Sequence, residues 1–511
     1  MATSTSRWWA LAALSLSTIA IGLDGTVLSV ALPTLAGDLN ASTGDLQWFT
    51  TSYLLVLAAA LLPAGMLGDR FGRKRMLLGA LAVFGIASAA CSYATTSGQL
   101  IGARAALGLG AAVIMPLSSA VLTVIFEPAE RTRALTVWIT ANTLGIPLGP
   151  LVGGWLLDHF WWGSVFLINL PLVVVGIVAV ALWVPESHGD RTRRFDPAGI
   201  VLSAVGLVVT TYGIIEAGER GWSDPRSLVT VAAGVAVMAA FVLWQRRAQA
   251  PLVDLALFRS RAFTWGSILA TVASFAMFGL LFALPLFYQA VRGNDAFGTG
   301  LRLLPVIGGL MVGARLAGRL EPKLGAKAVV TAGLVMIAGS LFAGTATGPG
   351  TGYGFVAAWI TVTGVGLGFT MPPAMNAALG ALSKERSGVG SGLIQAMRQV
   401  GSAIGVAVLG TVLNSAYRDG IDGSGLPAAA RESVSAGMSV AARLGDPAAA
   451  AVVRSAFTDG MGAALLVAGV IAVAGAILSV AFLPGRPAAP ANPEEVTLPP
   501  VSPQAAAEST V

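Results

Sequence analysis

LQWFTTSYLLVLAAALLPAGMLGDRFGRKRMLLGALAVFGIASAACSYAT, residues 46–95, holds two apolar runs divided by one short charged turn. The runs, 46–68 and 76–95, each match the roughly 20 residues an α-helix needs to cross the hydrocarbon of a bilayer. Between them Asp69, Arg70, Arg73, Lys74 and Arg75 make a loop too charged to enter lipid. In hydrocarbon the backbone must satisfy its own hydrogen bonds, so two such runs joined by a charged turn predict a helical hairpin through a membrane.

The same alternation continues in both directions. Further blocks at 8–33, 99–123, 134–158, 163–184, 198–218 and 227–245 precede six at 263–290, 299–318, 328–346, 354–379, 390–416 and 461–483. With the quoted pair they predict an all-α polytopic membrane protein of fourteen spans. Hydrophobic residues are 55% of 511 positions and charged residues 11%, against about 25% charged in a soluble domain. Such a chain cannot coat itself with charge in water. Its net charge of +6 lies in short loops between spans, which speaks for membrane topology and against nucleic acid as a partner. The single Cys91 lies inside an apolar block and His159 and His188 near span ends, so no disulfide framework, metal site or cofactor is predicted. The N-terminal block leads directly into more spans and reads as the first helix rather than a signal peptide.

Basic residues orient the stack. With the N-terminus inside, the cytoplasmic loops hold eighteen: Arg70, Arg73, Lys74, Arg75, Arg131, Arg133, Arg191, Arg193, Arg194, Arg246, Arg247, Arg259, Arg261, Arg319, Lys323, Lys327, Lys384 and Arg386. The opposite loops hold seven: Arg220, Arg226, Arg292, Arg418, Arg431, Arg443 and Arg454. Both termini are predicted to be cytoplasmic, with the protein in the cytoplasmic (inner) membrane. The Pro- and Ala-rich tail, 486–511, is predicted to be disordered.

The chain also repeats itself. AGMLGDRFGRK at 64–74 matches AGRLEPKLGAK at 317–327; GLGAAVIMP at 108–116 resembles GVGLGFTMP at 364–372; GIPLG at 145–149 resembles GSAIG at 401–405. The offsets of 253, 256 and 256 pair each span with the one eight later, which gives the copies the same orientation. This predicts a six-helix bundle in 1–190, inserted helices 7 and 8 in 191–250, and a second six-helix bundle in 251–485 with a long extracytoplasmic loop near 418–460. Paired bundles suit alternating access; a duplication that merely built a scaffold is the other reading.

Four ordered segments carry a resemblance: LDGTVLSVALP at 23–33, LGDRFGRKR at 67–75, IGARAALGLGAA at 101–112 and GIPLGPLVGG at 145–154. They resemble, in order, the span-1, loop 2–3, span-4 and span-5 motifs of the major facilitator superfamily, in its fourteen-span drug:proton antiporter branch of the EmrB/QacA type. The resemblance covers about residues 8–485. Leu107 stands where the span-4 motif commonly has Gln, and Ser29 where the span-1 motif commonly has Asn. In the second half Glu321-Pro322 replaces Gly68-Asp69 and Val406 replaces Pro150, so the halves are not expected to be equivalent.

Asp24 is the most informative residue, because a carboxylate in span 1 must face protein or water. It either exchanges protons across the membrane or serves as a fixed acceptor between helices. Arg104 in span 4 needs a counter-charge or acceptor; the resemblance implies that it aids proton coupling through Asp24. Glu216 in span 7 is either a second coupling acid, as the resemblance implies, or an interfacial residue. For the gating loop of Gly68, Asp69, Arg70, Gly72 and Arg73, the resemblance implies that Asp69 faces a helix N-terminus or basic group across the two bundles. Gly145, Gly149, Gly153 and Gly154 with Pro147 and Pro150 either pack helices closely and bend one of them, or seal the halves against proton leak. Arg398, with Gln395 and Gln399, lines the cavity or locks the second bundle; Arg315 snorkels near a span end.

The resemblance implies a monomeric, proton-coupled antiporter, not an enzyme, that exports amphipathic cationic or aromatic drugs, with protons, small molecules and lipid as its partners. A dedicated exporter of one metabolite or antibiotic, and a non-transporting receptor or scaffold, are the alternatives.

Overall fold

The computed structural model describes residues 4–189 and 196–485, so Arg191, Arg193, Arg194 and the tail 486–511 lie outside the described residues. All fourteen predicted spans are helices. Spans 1 to 6 are Arg7–Asp38, Thr43–Phe71, Arg73–Ser92, Ser97–Ile125, Ala129–His159 and Ser164–Trp183. Spans 7 and 8 are Pro197–Arg220 and Pro225–Arg247. Spans 9 to 14 are Arg261–Val291, Ala296–Leu324, Ala326–Gly344, Tyr353–Gly380, Arg386–Ile421 and Pro447–Phe482. No β-strand occurs among the described residues. Large apolar side chains such as Ile86, Leu182, Val229 and Ile477 point outward, an arrangement that only lipid makes inexpensive.

Short polar residues set the helix starts. Ser42 and Asp45 cap span 2 reciprocally, while Thr96, Asp224, Ser260, Asp295 and Asp446 each accept a backbone N–H at a helix start. Gly72 (φ 105°) and Gly325 (φ 82°) make the turns after spans 2 and 10. They are the loop glycines of the two repeat copies, and the positive φ explains why both are glycine.

Packing follows the repeat. Span 1 packs on spans 5 and 6, span 4 on spans 2 and 3, and span 3 on span 6. Eight spans later, span 9 packs on spans 13 and 14, span 12 on spans 10 and 11, and span 11 on span 14. The halves meet where span 2 packs on span 13 and span 5 on span 10. Spans 7 and 8 pair with each other, and span 7 lies along the seam of spans 2 and 13, where side chains of span 13 donate to its backbone: Thr411 Oγ1 donates to Ile214 O at 2.9 Å and Asn414 Nδ2 to Gly218 O at 3.0 Å.

One boundary differs from expectation. Span 14 begins at Pro447 rather than 461, because its alanine-rich start favours helix although Arg454 and Asp459 break the apolar run. The long loop near 418–460 is correspondingly ordered, with a short helix at Val434–Leu444 and Tyr417 Oη donating to Ala430 O at 2.7 Å.

Asp196 ties the hairpin of spans 7 and 8 together. Buried, it accepts from Gly199 N (2.8 Å), Trp244 Nε1 (2.9 Å), Gln245 Nε2 (2.8 Å) and Leu252 N (3.3 Å). Burial works to raise this carboxyl, but these hydrogen bonds outweigh it and hold it below the usual carboxylate range. Its contribution is therefore present above the unfolded-state value near 3.9 and lost as pH falls through the depressed folded value. Asp196→Ala is expected to lower stability by about 2–4 kcal/mol, the cost of orphaning buried donors, seen as a lower melting temperature of the purified protein in detergent at neutral pH. An unchanged melting temperature would refute this role.

Candidate functional site

Among the described residues, the best-enclosed charges meet in the first half. Arg104 Nη1 donates to Asp24 Oδ2 at 2.7 Å, with the two side chains 1% and 0% exposed. Span 2 contributes Phe49 O, which accepts from Arg104 Nε at 3.0 Å, and the Tyr53 ring, whose centroid is 4.5 Å from the guanidinium carbon. That approach needs Gly108 in span 4, where a Cβ would stand 2.5 Å from Tyr53 O. From span 6, Asn169 Nδ2 reaches Asp24 Oδ1 at 3.4 Å and Ser88 Oγ at 3.0 Å, and Ser88 Oγ donates to Phe166 O at 2.8 Å. Five spans thus converge on one ion pair, whose burial is tolerable because each charge has a partner and further hydrogen bonds. Asn169 was not singled out from sequence; a lone Asn in an apolar run was the available signal.

Arg104 also lines a narrow cleft between the halves, with Gly25, Ser29, Thr50 and Tyr53 on one side and Phe278, Leu281 and Phe282 of span 9 on the other. A second, larger cleft is bounded by Thr26, Thr143, Pro147 and Pro150 of the first half and Met277, Leu280, Ile307, Met311 and Leu367 of the second. Its walls carry no charged side chain. Ile360 occupies the repeat position of Arg104, so the second half has no matching cation there.

The glycines of span 5 divide between two jobs. A Cβ at Gly145 or Gly149 would lie 2.8 Å from Ile19 O or Leu23 O, and one at Gly153 would lie 2.4 Å from Val27 Cγ2, so these three seat span 5 against span 1. A Cβ at Gly154 would lie 2.6 Å from Ala296 O, and one at Gly300 would lie 2.4 Å from Pro150 O, so this end seats span 5 against span 10. The helix runs unbroken through Pro147 and Pro150. In the second half, Gly401 and Gly405 meet span 9 backbone at Thr271 O (2.7 Å) and Phe275 O (2.3 Å), as the repeat requires.

The face of the protein holding Arg7 and the loop of spans 2 and 3 is here the terminal face, and the opposite one the far face. Hydrogen bonds between the halves cluster toward the far face. Asp158 accepts from Ala296 N (3.1 Å) and Phe297 N (3.0 Å) at the start of span 10. Gln47 Nε2 donates to Val406 O (3.1 Å) and Ala407 O (2.8 Å), Gln289 Nε2 to Val30 O (2.8 Å), and Thr43 N to Glu432 O (2.9 Å). These residues were missed by sequence reading, since each is a single polar residue whose partner is the backbone of a distant span. Asp158→Ala is expected to weaken far-face closure by about 1 kcal/mol. The readout is faster maleimide labelling, from the far side, of an Ile146→Cys reporter in the larger cleft, and an unchanged rate would refute it.

Asp69 does not reach across the halves in this state. It accepts from Arg73 Nε (3.0 Å) and Nη2 (2.8 Å), and its backbone carbonyl accepts from Gly189 N at 3.1 Å. Glu186, after span 6, accepts from Lys74 N at 3.0 Å and Arg75 N at 3.3 Å at the start of span 3. Gly68 lies against Leu117 of span 4, Gly72 forms the turn, and the exposed Arg70 lies over the Phe71 ring. The loop is thus fastened within its own half, with no hydrogen bond or ion pair to the second half among the described residues.

Glu216 pairs with Arg220 one turn on, remote from Asp24. The span-7 acid that touches the first half is Glu219, which accepts from Ser42 Oγ at 3.2 Å. Arg398 in span 13 donates through Nε to Ser274 Oγ (3.2 Å) and through Nη1 to Gln395 Oε1 (3.1 Å) and Met375 Sδ (3.8 Å). Gln399 is half-buried beside it.

The Major Facilitator Superfamily model matches residues 14–406. The tetracenomycin C resistance and export protein of Streptomyces glaucescens is 33% identical over 413 residues, covering 81% of this chain and 77% of that protein. The multidrug efflux pump LfrA of Mycolicibacterium smegmatis is 34% identical over 457 residues, covering 86% of this chain and 89% of that protein. In fold, the chain is similar to the crystal structure of a bacterial homolog of the human lysosomal transporter Spinster. The TM-score is 0.68 at 18% identity, covering 95% of this chain and 99% of that one.

Proposed function

The chain belongs to the Major Facilitator Superfamily, and from that premise we propose that it is a proton-driven exporter of amphipathic small molecules, working as a monomer with both termini cytoplasmic. It is a multi-pass membrane transporter related to multidrug-resistance and efflux proteins, not an enzyme. Placement in the fourteen-span drug:proton antiporter branch, and the division into bundles 1–190 and 251–485 around helices 191–250, belong to this proposal.

The observation that carries it is the enclosed Asp24–Arg104 pair standing beside a cleft between two halves that are joined at the far face. With the far face closed, the protein is in its cytoplasm-facing state. Here Asp24 is ionised and held by Arg104. When the halves rock, Asp24 takes a proton from the outer side, which weakens the pair and frees Arg104 toward the cleft. The proton is released inside when the pair re-forms, and substrate moves the opposite way between these events. Gly145, Gly149 and Gly153 keep span 5 rigid on span 1, while Pro150 and Gly154 supply the outer seal. Asp69 and Arg73 fasten the inner loop, available for contact with the second half only when the inner side closes. Glu216, paired to Arg220, acts as an interfacial residue.

A second reading, a dedicated exporter of one compound, draws support from the relative named for tetracenomycin C. Everted vesicles from cells producing the protein test both. Probes added outside should accumulate when the interior is made acid and leak out on adding nigericin; a broad probe panel separates a multidrug pump from a dedicated one. No gradient-dependent movement of any probe would contradict the proposal.

A further inference from the structure

Arg398 is a cation within the membrane-spanning region that no carboxylate pairs with among the described residues. Its recorded partners, Ser274 Oγ, Gln395 Oε1 and Met375 Sδ, are all neutral, and Nη2 has no partner among the described residues. No ion pair joins Arg398 to an acid among the described residues, while Asp24 is engaged with Arg104, Glu216 with Arg220, and Glu219 with Ser42 at the far end of span 7. A half-buried guanidinium without counter-charge is costly in lipid surroundings, so its retention asks for a ligand that supplies one.

Its position says where that ligand sits. Ser274 lies one helical turn before Met277, a wall of the larger apolar cleft, and span 9 runs from the terminal face toward the far face. Arg398 therefore stands on the terminal-face side of that cleft, between it and the side where no hydrogen bond joins the halves among the described residues. At the repeat position in span 5 stands Asn142, whose Nδ2 reaches Thr18 O at 3.4 Å. Where the first half has a neutral amide, the second has a fork of charged donors.

Resting on the export reading above, we propose that Arg398 and Gln395 bind the anionic group of an acidic amphipathic substrate, whose apolar body lies in the cleft of Met277, Leu280, Ile307 and Leu367. Of the two classes expected from sequence, cationic or aromatic, this selects aromatic or apolar acids. Asp24 offers a cationic substrate nothing while Arg104 holds it, whereas a planar carboxylate fits the guanidinium fork.

The test is equilibrium binding to the purified full chain in detergent, which needs no proton gradient and so fails or succeeds apart from the export reading. The probes are naphthalene-2-carboxylate, its neutral methyl ester, and naphthalen-2-ylmethylammonium. The acid should bind about tenfold tighter than the ester, the worth of one charge-assisted hydrogen bond, and the ammonium weakest of the three. In Arg398→Gln the acid should lose its advantage over the ester, and in Arg398→Lys it should keep part of it. An acid that binds no tighter than its ester to the unmodified protein would overturn the proposal, whatever the variants do. So would an Arg398→Gln protein that keeps the acid preference, or one that loses acid and ester alike.

Discussion

Asp24→Asn is expected to abolish pH-gradient-driven efflux, to at most about 1% of the unmodified rate, since coupling through a single group leaves no parallel route. The substitution keeps the shape of the side chain and removes the one intramembrane carboxylate that Arg104 holds at 2.7 Å. It also leaves that guanidinium, 1% exposed, without a counter-ion, which costs about 3–5 kcal/mol when one partner of a buried pair is lost. Stability and coupling must therefore be read separately. Asp24→Asn should melt lower than the unmodified protein, and Asp24→Asn with Arg104→Gln should recover most of the melting temperature. Neither should recover gradient-driven transport. A double variant that is stable and still coupled would show that the pair is only a strut between spans 1 and 4.

Gly154→Leu should be almost as damaging by a different route. The first atom of the new side chain would stand 2.6 Å from Ala296 O and 2.7 Å from Phe297 Cα, and both obstacles are backbone. Nothing flexible is there to yield, so spans 5 and 10 must part at the far face. Overpacking of this kind costs about 1–3 kcal/mol, and here the cost falls on one conformational state rather than on the fold, because Gly154 faces the other half and not span 1. Transport should fall about tenfold or more, and an Ile146→Cys reporter should become easier to label from the far side. Gly102→Ala, where a Cβ meets nothing within 4 Å, should behave as the unmodified protein. Normal transport by Gly154→Leu would mean that this seam does not close during the cycle.

The two variants separate what the residues of the chain announce from what only the assembled structure contains. Fourteen spans were legible because a bilayer demands about 20 apolar residues at a stretch, and the repeat was legible because Gly72 and Gly325 must both be glycine to make the same turn. The proximity of Asp24 and Arg104 was a reasonable expectation, since two charges in apolar helices have few partners other than each other. Arg220, four residues after Glu216, was visible as a possible i,i+4 partner, and the structure pairs the two. The far-face joints were not legible. Asp158 and Gln47 bind backbone groups of span 10 and span 13, and a backbone partner leaves no mark in sequence. Asp69 shows a further limit: its motif is plain in the sequence, but its partners here, Arg73 and Gly189, both lie within its own half.

Proton movement coupled to substrate movement is the central claim, and purified protein in liposomes loaded with the pH dye pyranine tests it most directly. With the interior acid, addition of an exported probe outside should make the interior rise in pH in step with probe entry, and neither movement should occur with Asp24→Asn. Probe entry at the full rate with no change in pyranine signal would contradict the account.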